Sequence, residues 1–212
     1  MDSTTVKREG LRRLVRPEVL DRIEQVTIVV LWAFFLQRTL ESPNHFAPLA
    51  LISESSIAFF VLIRRPTGAI SVNLGDWILA ITATAAPMLI QPGDEPSAPI
   101  LWTGVTILLA GTVLHLAAKL FLRRSFGIAP ANRGVKVTGP YAICRHPMYA
   151  GYLLTHIGIF LMMPSLFNFV VYVLAWTAQI LRLLAEERLL SKDPEYQAYL
   201  DKVRWHLLPG VF

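Results

Sequence analysis

Thr138-Gly-Pro-Tyr-Ala-Ile-Cys-Arg-His-Pro-Met-Tyr-Ala-Gly151 lies between two long apolar regions and decides how the chain on either side is read. Gly139-Pro140 is a turn signal, because glycine supplies permissive backbone and proline fixes φ. Pro147 suits the first position of a new helix, where a missing N–H costs nothing. Arg145 and His146 then stand at a helix entrance, where polar groups can reach a bound anion.

Downstream, two apolar helices are predicted, near 147–163 and 166–185, joined by Pro164-Ser165. So short a joint implies an antiparallel helical hairpin. Asp193 can cap a further helix that starts at Pro194. Tyr196, Tyr199, Leu200, Val203 and Leu207 fall on one face at helical spacing. This predicts an amphipathic tail helix on the membrane surface, closed by Pro209.

Upstream, apolar runs predict four spans, near 23–40, 46–63, 74–90 and 100–122. The first is short and broken by Ser42-Pro43-Asn44. Glu54 sits in the second and reads as a polar contact facing the bundle. In the fourth, Gly104 and Gly111 share one face and suit close helix packing. His115 lies on that side and reads as a bundle contact. The first 22 residues carry Lys7, Arg8, Arg12, Arg13, Arg16 and Arg22. An interfacial helix and a basic tail both fit them; no cleavable signal is expected.

The fold class expected is therefore all-α: a polytopic membrane bundle of about six spans, with a C-terminal hairpin and a tail helix. Its parts are a basic segment (1–22), four spans (23–122) and a cofactor-binding C-terminal region (123–212). Only 17% of the 212 residues are charged and 54% are hydrophobic, against about 25% charged in soluble domains. The basic residues flank apolar spans, so the net charge of +5 reflects loop charge that sets orientation, and no nucleic-acid partner is expected. Six spans put 19 of the 20 Lys and Arg on one side, which makes the motif cytoplasmic; five spans would move the N-terminal cluster away. The single Cys144 excludes an intrachain disulfide. It reads as a small residue packed at a helix start.

Arg145, Tyr149, Tyr152 and His156 form one stripe of the helix after Pro147, and Gln179, Arg182 and Glu186 a similar stripe on its partner. An antiparallel hairpin brings Arg145, His146 and Tyr149 beside Arg182, Glu186 and Glu187. Both signs of charge meet there, matching a zwitterionic ligand; a structural Arg–Glu network ending two helices is the alternative. The five histidines show no ligand spacing, so no metal is expected.

The pattern G-P-Y-x-x-x-R-H-P-x-Y-x-G, followed by Glu186-Glu187, Tyr196, Tyr199 and Pro209, resembles the isoprenylcysteine carboxyl methyltransferase family over roughly residues 121–212. Membrane phospholipid N-methyltransferases and small-thiol S-methyltransferases are similar over the same region. The resemblance implies a membrane enzyme that takes methyl groups from S-adenosylmethionine. It also implies a lipid-tailed acceptor entering from the bilayer, with a prenylcysteine-type carboxylate favoured over a phospholipid amine or a thiol. By the same resemblance, Arg145 and Glu187 act near the reacting centre. His146, Tyr149, Glu186, Tyr141, Tyr196 and Tyr199 contact the cofactor, and Arg182 and His156 the acceptor. Sterol reductases are similar in their last spans, and a non-catalytic membrane scaffold is the reading of a different class.

Overall fold

A computed structural model describes residues 17–41 and 47–212. The N-terminal basic residues before Pro17 and the break at Ser42-Pro43-Asn44 lie outside the described residues. The chain forms α1 (Pro17–Leu40), α2 (Ala47–Ile63), α3 (Leu74–Ala85), α4 (Ala98–Leu122), α5 (Pro147–Met162), α6 (Leu166–Leu190) and α7 (Pro194–Leu200). Among the described residues, the only strand-like pairing is an isolated bridge between Ile70 and Ala131.

The helix starts follow local chemistry. Asn73 caps α3 by accepting from the Gly75 amide at 2.9 Å, Ser165 caps α6 by accepting from Asn168, and Asp193 caps α7 by accepting from Glu195. Pro147 opens α5. Pro87 falls in the 3₁₀ turn Ala86–Leu89, which ends the third apolar run.

The tightest helix pair is α4 against α5, antiparallel. A Cβ on Gly111 would come within 2.7 Å of the Gly151 carbonyl oxygen, and one on Gly158 within 2.5 Å of the Leu108 amide nitrogen. Glycine on both helices lets the backbones meet, as the Gly104–Gly111 spacing predicts. The hairpin arms α5 and α6 also run antiparallel, but α6 leans away and packs along α3. The two arms touch through long side chains, which leaves room between them. Asn168 holds the turn: its amide group donates to the Met163 and Gln91 carbonyls, and its oxygen accepts from the Gln91 amide.

The main core draws on α1 to α6, the connector and the tail residue Leu207. Outside it, Val26, Val30, Phe59, Ile78, Trp102, Val113, Phe169 and Val173 are exposed. An apolar exterior this extensive marks an interaction surface, here one suited to lipid. Among the described residues, two helices are long and apolar enough to cross a membrane, over 98–125 and 166–190. The rest are shorter or, like α1, carry charges at one end.

One expectation fails. The tail helix stops at Leu200 instead of running to Leu207. Backbone carbonyls past that point serve the motif: Trp205 accepts from the Arg145 amide at 2.9 Å and His206 from the His146 amide at 2.8 Å. A helical path would point these carbonyls along its own axis, away from the motif amides. Tyr196, Tyr199 and Val203 accordingly form a buried cluster with Val135 and Leu190, so these residues face protein.

Candidate active site

The motif turns at Gly139, whose φ of +63° favours glycine. A Cβ there would strike the Phe121 ring. The 3₁₀ turn Gly139–Ala142 follows, and His146 then occupies the position before Pro147. The end of α6 comes alongside and brings Glu186 and Glu187 to Arg145 and His146, while Arg182 lies farther along α6.

Glu187 is the hub. Its Oε1 lies 2.9 Å from His146 Nε2 and 3.0 Å from His206 Nδ1, and Arg145 Nη1 stands 3.5 Å from both carboxylate oxygens. Arg145 also donates from Nε to the Val203 carbonyl at 2.7 Å. These bonds fix the C-terminal tail across the entrance to α5. Donor atoms of His146, Glu187 and His206 fall within 4.8 Å of one another. In the geometry seen, hydrogen bonds and the Arg145 guanidinium already serve the carboxylate.

Beside the hub is a cleft open to the surface. Its walls come from the connector (Arg133, Lys136), the motif (Tyr141, Arg145, His146, Tyr149), Glu186 on α6, and Tyr196 and Tyr199. Tyr149 donates to Glu186 Oε2 at 2.7 Å. Tyr199 donates to the Tyr141 carbonyl at 2.7 Å, tying α7 to the motif. Burial, with the Glu186 carboxylate nearby, pushes the Tyr141 phenol well above its ordinary range. Burial and the Glu187 and Glu186 carboxylates do the same for Tyr196, whose hydroxyl is buried with no partner among the described residues. Both phenols therefore stay neutral at physiological pH and can donate. Burial also raises the Cys144 thiol, as suits a packed, unreactive cysteine.

Glu187 does not line the cleft, while its neighbour Glu186 does. Arg182 and His156 face a second space, a chamber between the helices lined also by Glu54, Tyr152, Trp176 and Gln179. It adjoins a void that shares Glu54, Pro87 and His156. Trp176 Nε1 donates to His156 Nδ1 at 3.1 Å, which sets that ring. Cleft and chamber meet at one wall: the Arg182 guanidinium sits 5.3 Å from the centre of the Tyr149 ring.

The structure thus brings Arg145, His146, Tyr149, Glu186 and Glu187 together, adds Tyr141, Tyr196 and Tyr199 from the sides, and sets Arg182 and His156 beyond the wall. Sequence reasoning did not single out His206, Arg133 or Lys136. An ionisable residue three before the closing Pro209 was the signal for His206; the two connector residues were read only as orienting charge. Glu54, a polar contact within the bundle by sequence, faces the chamber.

Residues 99–193 match the model of the phospholipid methyltransferase family, over a stretch that holds α4, the motif, the hairpin and both glutamates. The match supports a membrane methyltransferase. No curated protein matches the chain.

Proposed function

We propose that this protein is a multi-pass membrane methyltransferase that uses S-adenosylmethionine in the cleft and a lipid-tailed acceptor in the inner chamber. The observation that carries the reading is the meeting of two separately lined cavities at Tyr149 and Arg182. A two-substrate displacement needs such a meeting point.

The cleft suits the cofactor. Its methionyl end is zwitterionic, and the walls offer Arg145 and His146 for a carboxylate and Glu186 for an ammonium. The partnerless Tyr196 hydroxyl offers a further hydrogen bond. When bound, the sulfonium supplies a methyl group already activated for in-line displacement. The protein must align the nucleophile and exclude water. Tyr149 and Arg182 would form the passage, and α7 with the tail would close the cleft. Glu187 acts one step back, holding Arg145, His146 and His206 in register.

We place the acceptor in the phospholipid class ahead of the prenylcysteine class. The chamber carries a carboxylate, Glu54, as well as Arg182, so an amine and a phosphate of one headgroup both find a partner. The matched family is named for phospholipid acceptors. Six spans, with the motif on the cytoplasmic face, complete the proposal, supported by the charge asymmetry of the loops, which leaves Arg38 alone among the Lys and Arg residues on the other side.

The test is transfer of labelled methyl from S-adenosylmethionine by purified protein to separate pools of ethanolamine phospholipids, prenylcysteine analogues and small thiols. Label in the ethanolamine pool is expected. Glu187→Ala and Arg145→Ala should each fold and lose at least about a hundredfold in turnover, the scale on which positioning residues act. Unchanged turnover in both variants overturns the site, and absence of cofactor binding by the wild type overturns the function.

A further inference from the structure

We propose that Glu54, on α2 and remote in sequence from the motif, is the residue that receives the acceptor amine and takes its proton. This rests on the methyltransferase reading above. Glu54 lines both the inner chamber and the adjoining void, and no hydrogen bond or ion pair satisfies its carboxylate among the described residues. An acidic side chain within an apolar bundle is costly to keep without a role.

Its surroundings are built. Lys119 is fully buried on α4, where its ammonium donates to Ser56 Oγ, two residues along from Glu54, and lies 3.3 Å from His115 Nδ1 and 4.9 Å from the Tyr152 ring centre. Lys119 lies within electrostatic reach of Glu54 and supplies the balancing charge. It does not line the chamber, so Glu54 is the acidic group presented to an occupant. Arg182 lines the same chamber next to the wall with the cleft. A headgroup with an anionic phosphate and a cationic or neutral amine finds both complements within one space.

The chemistry gives the carboxylate a task. An amine nitrogen attacks with its lone pair: the N–C bond forms, the C–S bond breaks, and the positive charge of the sulfonium moves to nitrogen. The product ammonium carries an N–H proton that must leave before another methylation can occur. Glu54 takes that proton, so the carboxylate becomes a carboxylic acid and the methylated amine is neutral. Carboxylate and thiolate acceptors form neutral products that carry no proton to remove, which separates this role from general packing.

The experiment pairs binding with turnover in Glu54→Gln, which keeps size and hydrogen bonding but removes the charge and the base. Calorimetry with S-adenosylmethionine should give an affinity within about twofold of wild type, since Glu54 lies outside the cleft. Calorimetry with lysophosphatidylethanolamine micelles, cofactor absent, should show at least about tenfold weaker binding. Methyl transfer to phosphatidylethanolamine in phosphatidylcholine vesicles should fall by about a hundredfold or more, the usual range for a general base. Glu54→Asp should recover part of both. Normal binding and transfer in Glu54→Gln would overturn the assignment while leaving the methyltransferase intact. A variant that has lost cofactor binding too would show that Glu54 serves the fold instead, and a wild type that binds no cofactor would remove the reading on which the assignment rests.

Discussion

The Tyr196 hydroxyl is the most informative single atom at the candidate site. It is buried, neutral and without a partner among the described residues. A buried unsatisfied hydroxyl costs about 1–3 kcal/mol. Tyr196→Phe should therefore leave the ligand-free protein at least as stable as wild type in a thermal melt. If the hydroxyl bonds the cofactor, the same variant should bind S-adenosylmethionine about tenfold less tightly by calorimetry. Unchanged affinity would mean that the hydroxyl faces space the cofactor does not use. The hub was partly legible at this scale. Arg145, His146, Glu186 and Glu187 stand out as charges in an otherwise apolar hairpin. His206 was hidden because its role depends on the tail folding back on Glu187, a contact over 19 residues that no local pattern announces.

Two elements carry separable predictions. At the α4–α5 crossing, a side chain on Gly111 would meet the Thr155 amide and the Gly151 carbonyl, both backbone atoms that cannot step aside. Gly111→Leu should destabilise the protein by about 3 kcal/mol or more, seen as a lower midpoint of unfolding. Gly68, with nothing within 4 Å of its Cβ position, is the control and should tolerate Ala. At α7, Asp193 caps the helix and accepts from Asn132 on the connector. Those hydrogen bonds hold its carboxyl below the usual aspartate range. A depressed carboxylate stabilises above the unfolded pKa, and the contribution is lost as pH falls through the folded value. Acid should therefore release α7 before the bundle unfolds, and Asp193→Ala should release it at neutral pH. Faster chymotrypsin cleavage at Tyr196 and Tyr199 would report either event.

Across the whole molecule, a buried charge network joins parts far apart in sequence. Arg64, before the turn into α3, pairs with Asp21 at 2.9 Å and with Glu24, both on α1. Arg133, which lines the cleft, pairs with Asp21 at 2.7 Å. Glu24 in turn accepts from the Ile128 and Ala129 amides of the connector. The start of α1 thereby positions one wall of the candidate active site. Removing one partner leaves buried charge unmatched, at about 3–5 kcal/mol. Arg64→Met should lower the unfolding midpoint strongly and loosen the connector, read as faster hydrogen exchange at Ile128 and Ala129. An unchanged melt would show that the network carries little net stability.

The sequence by itself determined the helical class, the helix starts at Pro147, Ser165 and Asp193, the glycine face of α4 and the charged base of the hairpin. Each of these is a local event: a cap, a proline at a first turn, or a period of side chains on one helix. What only the tertiary structure decided are the contacts between distant segments. The tail gives up its helix at Leu200 because carbonyls 203, 205 and 206 satisfy the motif. The arms of the hairpin part because α6 packs on α3, and the chamber opens between them. Asp21, Glu24, Arg64 and Arg133 share no local pattern in the sequence and meet only when folding removes them from water, and Glu54 becomes a candidate base only because α2 faces that chamber. Such arrangements depend on how helices pack, and packing is set by all the faces together.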